Sequence, residues 1–593
     1  QAMTASISAA NPSVPARRAT RAIGLLGCLL VTRLAWALGR APETAMAAGK
    51  PNIIVLQTDD QTASTLHATF VNKHGKRRPV MPNTLKLIVG QGVEFKNYYV
   101  SNPVCSPSRA AFLSGQYSHT SGLVRNSGSR GGARGLTRSP VFTDGLPTAL
   151  NRAGYHTAHF GRLTNNYGDE DGYNDPEPPK GWDTWVTDWG SKGVRRYYGY
   201  YLNVNGEIRG PYGKAHYRKF RNKDPRSCPS AKVRCNYHTD LITKKAIRDI
   251  KSVRKGPFYV QIDYEAPHDG ATSGAEAEPP SRYIGTARRT PFLKPPGFNE
   301  RDISDKPKLI RRTAKRLTPR EFKALKKRYR KQLESLRGVD DSVGRIIRTL
   351  KRRNELGNTY IFFQSDNGYF LGEHRYSKSK FLAYEPSVRV PMVVRGPIAK
   401  KGKVSHAIVS NVDLAATITN LAHTDPRIAS DGRSFKPLLR KPRHRGNRAV
   451  LLESFLYPSD RLDAHLDLTR PFVTGAQSGG GASASGATAS SSAPPLNYSA
   501  IRTGNYKYIE YADGGRELYD LKADPYELNN KVHTRRYRKV YRYLADQLDR
   551  RRFCDGVECR KGVKHIPYVK PKNKHHKHKK HEHPRGQTGG ASS

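Results

Sequence analysis

The stretch Asn52-Ile-Ile-Val-Leu56, which runs directly into Gln57-Thr58-Asp59-Asp60, decides what fold to expect. A short apolar run that ends in polar residues is typical of a buried parallel strand. Phe258-Tyr-Val-Gln-Ile262, Tyr360-Ile-Phe-Phe363 and Val390-Pro-Met-Val-Val394 are similar runs further along the chain. Helical patterns lie between them, so the sequence predicts an α/β fold with a mostly parallel sheet flanked by helices.

The clearest helix is predicted to begin at Pro319. Thr318 is suited to the N-cap, Pro319 to the first helical position, and Glu321 completes a capping box. Apolar residues then recur at helical spacing, and Gly357 is the expected stop. Residues 306–353 hold 19 Lys and Arg against 4 Asp and Glu, which indicates either a solvated helix face or a polyanion-binding face.

The length of 593 residues exceeds one compact core. We expect a large domain over 49–444 and a smaller C-terminal α+β domain over 445–560, where Tyr498–Arg502 and Tyr506–Glu510 alternate like antiparallel strands. Residues 474–495 are rich in Gly, Ala and Ser and predict a flexible loop, and the basic, His-rich tail over 561–593 predicts disorder.

The net charge of +53 suggests an anionic partner. The charge is spread along the chain and no nucleic-acid-binding motif accompanies it, so we expect no specific nucleic acid. Anionic surroundings outside the cell, such as an anionic polysaccharide or the cell wall, are the favoured partners.

The N-terminal 48 residues predict a cleaved export signal. Arg17, Arg18 and Arg21 precede the apolar run Ala22–Val31, and Ala45-Met-Ala47 is a small-x-small cleavage site. An uncleaved anchor and a twin-arginine signal are the alternatives. Secretion is therefore the predicted location.

The cysteines agree with export. Cys228 and Cys235 form one close pair and Cys554 and Cys559 another, which predicts two local disulfides, with metal binding as the weaker alternative. Cys105 is left over and requires a different explanation.

Acidic residues follow two of the predicted strands. Asp59 and Asp60 come after the first, and Asp366 and Asn367 after Tyr360–Phe363. The carboxyl ends of parallel strands meet at one edge of a sheet, and four oxygen donors there suit a hard cation, Ca²⁺ or Mg²⁺. Two ordinary helix N-caps would explain the same residues.

The segment Cys105-Ser-Pro-Ser-Arg109 resembles the signature Cys-x-Pro-x-Arg of the formylglycine-dependent type I sulfatases. Other family motifs recur in order, and the resemblance covers roughly 50–530. They are Asn52–Asp60, Ala266-Pro-His268, Ser365-Asp-Asn-Gly368 followed by Leu371-Gly-Glu-His374, Lys380 before Tyr384-Glu385, Asn411–Leu414 and Glu517–Leu521. The style of these motifs is most similar to the N-acetylglucosamine-6-sulfatase branch.

The resemblance implies an alkaline-phosphatase-like fold that hydrolyses a sulfate ester, either of a sugar or of an aryl alcohol. It implies a calcium ion on Asp59, Asp60, Asp366 and Asn367. It also implies that a formylglycine-generating enzyme converts Cys105 to 3-oxoalanine (formylglycine), whose hydrated gem-diol attacks sulfur. The other residues that it implicates are Arg109, Arg162, His268 and Lys380 in catalysis, and Asn165 and His374 in substrate binding.

Arg162 is the one clear departure from the family, which usually has Lys after the glycine at this place. Arg162 keeps the positive charge but cannot give up a proton at ordinary pH. Two alternative functions stay open on the sequence: a phosphate or phosphonate monoester hydrolase of the same fold, and an inactive polyanion-binding relative.

Overall fold

The computed structural model describes residues 49–170, 172–190, 197–213, 236–270, 276–377, 379–455, 497–567 and 569. The predicted export signal, Cys228 and Cys235, the 474–495 segment and the tail beyond residue 569 lie outside these residues. Among the described residues, none of the helices is both long and apolar enough to cross a membrane. The domain boundaries stay a prediction.

The strands are β1 Asn52–Thr58, β2 Thr69–Val71, β3 Arg77–Pro79, β4 Gly92–Tyr99, β5 His156–Gly161, β6 Thr184–Trp189, β7 Tyr200–Val204, β8 Glu207–Tyr212, β9 Phe258–Asp263, β10 Thr359–Ser365, β11 Met392–Arg395, β12 Lys403–Ser410, β13 Val450–Phe455, β14 Asn497–Arg502, β15 Tyr506–Tyr511 and β16 Arg516–Asp520. Among the described residues, the α-helices are α1 Pro82–Leu87, α2 Cys105–Ser114, α3 Ser118–Ser121, α4 Gly132–Thr137, α5 Pro140–Asp144, α6 Leu146–Arg152, α7 His238–Ser252, α8 Lys308–Thr313, α9 Pro319–Arg352, α10 Glu385–Val388, α11 Asp413–Ala422, α12 Lys436–Arg440 and α13 Arg538–Asp549.

Ten strands form one mixed sheet in the order β12-β4-β11-β10-β1-β9-β5-β6-β7-β8. The run β10-β1-β9-β5-β6 is parallel throughout. The expected mostly parallel sheet flanked by helices is therefore confirmed, with β1 near its middle. The fourth predicted strand forms as β11. It pairs with β10 on the side opposite β1 and is antiparallel to it. It begins only after Pro391, which has no N–H to donate to a ladder.

Strand β1 is apolar from Ile53 to Leu56 because both of its faces are covered. Ile54 and Leu56 belong to the apolar cluster under α7 and α9, whereas Ile53 and Val55 belong to the cluster under α2, α6 and α11. Successive side chains of a strand point to opposite faces, so this alternation requires helices on both sides of the sheet.

Helix α9 begins as its sequence predicts. Both hydrogen bonds of the capping box between Thr318 and Glu321 are present. The helix ends at Arg352, before the expected stop at Gly357, because Asn354 adopts a left-handed conformation with φ of 57°. Apart from glycine, asparagine is the residue type that most readily ends a helix in this way.

The four strands β13-β14-β15-β16 form a separate antiparallel sheet, which confirms the predicted alternating segments. Its Val450, Tyr498 and Tyr519 share an apolar cluster with Tyr99 and Ile408 of the large sheet. The small sheet therefore packs against β4 and β12, the two strands at one end of the large sheet. The predicted disulfide between Cys554 and Cys559 is present, with 5.1 Å between the Cα atoms.

His119 connects the disulfide-bearing segment to the small sheet through two hydrogen bonds. Its Nδ1 lies 2.8 Å from Glu453 Oε2 and its Nε2 lies 2.8 Å from the carbonyl oxygen of Cys554. Burial acts to lower the pKa of His119, but the charge and hydrogen bond of Glu453 outweigh it and raise the pKa to about 9. The ring is therefore an imidazolium at neutral pH.

This contact predicts a pH-dependent contribution to stability. A pKa that is higher in the folded chain stabilises fully below the unfolded value near 6.5 and loses that effect as pH rises through 9. We expect His119→Gln to lower the free energy of unfolding by up to about 3 kcal/mol at pH 6 and by much less at pH 10. Thermal midpoints of both proteins across this range test it, and a constant difference at every pH would contradict it.

Candidate functional site

Four adjacent parallel strands end at one edge of the large sheet, and the candidate site lies there. Beyond β10 lie Asp366 and Asn367, beyond β1 lie Asp59 and Asp60, beyond β9 lie Glu265 and His268, and beyond β5 lies Arg162. The carboxyl ends of strands in an open α/β sheet are the usual place for a site. The topology thus brings together residues that are up to about three hundred positions apart in the chain.

Helix α2 supplies Cys105 at its first position and Arg109 one turn later. The Cys105 thiol is buried, and its Sγ lies 2.9 Å from Lys380 Nζ and 3.8 Å from Asp59 Oδ1. Burial and then the charge of Asp59 raise the pKa of Cys105 to about 12. The side chain is a neutral thiol at neutral pH, and a neutral thiol is a poor nucleophile.

Arg109 is the charge centre of the cluster. Its Nε lies 2.9 Å from Asp366 Oδ2, its Nη2 lies 3.0 Å from Asp59 Oδ2, and its Nη1 lies 3.5 Å from Asp263 Oδ2. All four side chains are buried. One guanidinium therefore compensates three carboxylates, which its planar fork of donors allows and an ammonium group would not.

Arg162 is a second buried guanidinium on the same carboxylates. Its Nη1 contacts Asp59 Oδ2 and lies 3.5 Å from Glu265 Oε2, and its Nη2 lies 3.4 Å from Asn165 Oδ1. Gly161, the residue before Arg162, allows the backbone to pass close to β9, because a Cβ on that residue would lie 2.1 Å from the carbonyl oxygen of Asp263. The forked side chain thus contacts two carboxylates and the Asn165 amide at the same time.

The oxygen donors predicted for a cation converge. Asp366 Oδ1 accepts from the backbone N–H of Asp60 at 3.2 Å, and the Asn367 amide contacts Asp60 Oδ1. Burial and then the charge of Asp59 raise the pKa of Asp366 to about 7, whereas nearby cations outweigh burial and lower the pKa of Asp59. Crowded oxygen donors of this kind fit a hard divalent cation, which would relieve their repulsion.

His268 and Lys380 face the same donors. His268 Nε2 lies 3.6 Å from Asp60 Oδ2, and its Nδ1 lies 2.9 Å from the carbonyl oxygen of Asp269. Burial lowers the pKa of His268, so the ring is neutral with its proton on Nδ1. Lys380 Nζ lies 2.5 Å from Asp60 Oδ1, and this carboxylate and its neighbours outweigh burial and raise the pKa of the lysine.

Of the two predicted substrate-binding residues, the structure brings only Asn165 to the cluster. Its Oδ1 accepts from Ser106 at 3.1 Å. His374 instead lies 2.7 Å from Glu300, stacks on Tyr384 with ring centroids 4.1 Å apart, and lines a separate cavity of 540 Å³. Thr62, which is close in sequence to Asp60, also lines that cavity.

Sequence reasoning missed Asp263 and Glu265, the carboxylates that hold Arg109 and Arg162. Asp263 is the last residue of β9, and Glu265 stands between β9 and His268. An acidic residue at the end of a buried strand was the available signal.

The loop that carries Lys380 is anchored on the small sheet by a buried lysine of β15. Lys507 Nζ donates to the carbonyl oxygen of Ala383 at 2.7 Å and lies 3.1 Å from Glu385 and 2.6 Å from Glu527. The side chain of Lys507 is fully buried. This network joins residues three to five positions after Lys380 to a rigid strand.

We expect Lys507→Met to lower the free energy of unfolding by about 3–5 kcal/mol, because it leaves two buried carboxylates with less compensation. A fall in the thermal midpoint of about 3–5 °C would register this in a chain of this size. Lys522→Met, at an exposed position, serves as the control and should change the midpoint little. Equal midpoints for the two variants would contradict the anchoring role.

The family model described as Sulfatase matches residues 51–424. An extracellular sulfatase SULF-1 homolog of Drosophila melanogaster is 31% identical over 415 residues, which cover 69% of this chain and 33% of that protein. The human N-acetylglucosamine-6-sulfatase is 29% identical over 502 residues, which cover 82% of each chain. The chain thus spans about a third of the Drosophila protein and most of the human one.

A solved structure is also similar in fold. It is described as a complex with the substrate D-glucosamine-2-N,6-O-disulfate, and it superposes with a TM-score of 0.61 at 24% identity. The superposition covers 84% of this chain and 97% of the other. At this identity the likeness shows the fold alone, and it agrees with the sheet described above.

Proposed function

Because the chain belongs to the sulfatase family of sulfuric ester hydrolases, we propose that it hydrolyses the sulfate ester of a sulfated sugar by means of a formylglycine made from Cys105. The observation that carries the proposal is the position of Cys105. Its Sγ lies between Lys380 and Asp59, at the edge of the sheet where the oxygen donors converge. The human relative's description as an N-acetylglucosamine-6-sulfatase supports a 6-sulfated amino sugar as the substrate.

Asp59, Asp60, Asp366 and Asn367 are the residues that would hold a calcium ion. When present, the ion would neutralise sulfate charge and the formylglycine would supply a hydroxyl nucleophile. The rest of the chemistry falls to side chains of the chain itself. Arg109 fixes two of the proposed ligands, Asp59 and Asp366, so that their carboxylates keep one orientation.

The cations around Cys105 suit a sulfate group. Lys380 is an ammonium 2.9 Å from Cys105 Sγ, so it can donate to a sulfate oxygen there. Arg162 keeps its charge at every working pH and holds Asp59 in place. Sulfate binding and carboxylate orientation therefore need no proton transfer from either residue.

His268 is the group that can move a proton. Its Nδ1–H donates to the carbonyl oxygen of Asp269, so the lone pair of Nε2 faces the site. Hydrolysis breaks one S–O bond, water supplies the hydroxyl that ends on sulfate, and the leaving sugar oxygen takes a proton. Neutral His268 can take at Nε2 the proton that the attacking hydroxyl loses and pass it to the leaving sugar oxygen, while Lys380 donates a hydrogen bond beside it.

Mass spectrometry of the tryptic peptide 97–109 tests the proposal directly. Conversion of the thiol to an aldehyde lowers the peptide mass by about 18 Da. We expect this form in protein from the native host, together with release of sulfate from N-acetylglucosamine 6-sulfate and no turnover of the corresponding phosphate ester. An unmodified Cys105 in active protein would overturn the mechanism, and preferred turnover of the phosphate ester would overturn the substrate class.

We also propose that the protein is exported. The Cys554–Cys559 disulfide supports this, because disulfides persist in oxidising compartments. The Drosophila relative is itself described as extracellular. Detection of mature protein outside the cytoplasm, with a new N-terminus near residue 48, would test both the export and the cleavage.

A further inference from the structure

A basic pocket of 660 Å³ is lined by none of the residues proposed for catalysis. The hairpin β2–β3 contributes Phe70–His74, the loop before α8 contributes Ile284–Thr286 together with Arg288 and Arg289, and α9 contributes Arg337. Five of the lining side chains, those of Lys73, His74, Arg288, Arg289 and Arg337, are basic, and none is acidic. A concave surface lined by one sign of charge concentrates counter-ions.

Arg337 is the half-buried cation of this pocket. Its guanidinium lies 4.4 Å from the ring centre of Phe70 and 3.9 Å from that of Tyr283. The Nη1 atom is buried and has no hydrogen-bond partner among the described residues. A guanidinium fixed by two rings, with a donor nitrogen unused, is prepared to bind an oxyanion.

The carboxylates on the same helix are engaged elsewhere. Asp341 is paired with Arg282 at 2.7 Å and accepts from the Tyr283 hydroxyl at 2.8 Å. Asp340 accepts from Thr84 at 2.7 Å, and Glu334 accepts from the backbone N–H of Ala287 at 3.0 Å. Within the described residues, Arg337 has no ion pair within 4 Å, so its charge faces the pocket without a paired carboxylate.

Lys73 and Arg288 stand at the exposed rim of the same pocket. Exposed cations around a half-buried one give several attachment points, which suits an anionic chain better than a single small ion. The aromatic rings here are covered by guanidinium groups, since Arg282 also lies 5.0 Å from the centre of Tyr283. Single-stranded nucleic acids rely on open ring faces for base stacking, so a sulfated polysaccharide is the better match.

We infer that this pocket binds sulfate groups of an anionic polysaccharide chain at a place separate from the Cys105 cluster. The inference concerns binding and does not rest on the proposed hydrolytic function. It gives a defined location to part of the excess positive charge between residues 306 and 353.

Binding of a heparin octasaccharide to the full-length protein tests the inference, with titration repeated at several salt concentrations. Lys73→Ser/Arg288→Ser removes two rim charges that make no ion pair within the described residues, and Arg337→Met removes the half-buried charge while keeping a side chain between the rings. We expect each variant to weaken binding at least about tenfold and the double variant to reduce the salt slope by about two. Arg320→Ser/Lys323→Ser, at exposed positions of α9, is the charge-matched control and should weaken binding less than about twofold.

An equal loss in the control would overturn the inference, because it would show attraction to the overall charge rather than to the pocket. Unchanged binding by both pocket variants would overturn it as well. A single-stranded DNA octamer that binds more tightly than heparin and depends on the same residues would replace the polysaccharide with nucleic acid. Turnover of a small aryl sulfate by the Lys73→Ser/Arg288→Ser variant should equal that of the unsubstituted protein. Failure of this inference and failure of the proposed activity therefore give different results.

Discussion

Cys105→Ala should abolish sulfate ester hydrolysis, with a loss of at least about 10³-fold in kcat/KM. Cys105 is the only free cysteine among the described residues, and it stands at the first position of α2, beside Lys380 and Asp59. Alanine removes the sulfur from which the proposed nucleophile is made, and no other side chain can replace it there. Sulfate release under saturating and limiting substrate measures the loss.

The structural control for this variant is its thermal midpoint. Alanine occupies slightly less volume than cysteine, so we expect a change of less than about 2 kcal/mol in the free energy of unfolding. Ser106→Ala is the chemical control, since Ser106 contacts Asn165 but contributes nothing to the nucleophile. We expect it to keep more than about a tenth of the activity. Activity retained by Cys105→Ala within tenfold of the unsubstituted protein would refute the proposed role of Cys105.

The central strands could be predicted because burial on both faces leaves an unmistakable pattern. The apolar run Asn52–Leu56 stands out since both faces of β1 are covered by helices. The antiparallel strands β7 and β8 were harder to read. Glu207–Tyr212 is largely exposed and polar, so its place in the sheet depends on pairing with β7 rather than on its own composition.

The candidate site shows where sequence reasoning reaches its limit. Strand order alone predicts that Asp59 and Asp366 meet, because β1 and β10 are parallel neighbours. The pairing of Arg109 with Asp263 depends on how α2 lies over the strand ends, which no local pattern reveals. The same holds for His374, which has a positive φ and pairs with Glu300. The excess of cations in α9 was visible in the sequence, but the position of Arg337 against the rings of Phe70 and Tyr283 was not.

Arg109→Met should be the most destabilising single substitution at the site, at about 3–5 kcal/mol in the free energy of unfolding. The methionine side chain fills much of the same space but leaves the carboxylates of Asp59, Asp366 and Asp263 without their shared guanidinium. Hydrolysis should fall as well, because two of these carboxylates are proposed calcium ligands that Arg109 orients. Thermal unfolding and sulfate release measure the two effects separately, and Arg312→Met at an exposed position of α8 provides a control that should change neither.

Calcium should partly restore Arg109→Met, and this separates an electrostatic role from simple loss of packing. Removing one positive charge leaves the oxygen donors more negative, so a divalent cation should raise the thermal midpoint of the variant by more than that of the unsubstituted protein. A packing defect alone would leave the two calcium responses equal. Arg109→Lys adds a further distinction: it keeps the charge but cannot reach three carboxylates at once, so its stability should fall between the other two proteins. A lysine variant no better than methionine, with no calcium response in either, would show that Arg109 does not act through the charge of this cluster.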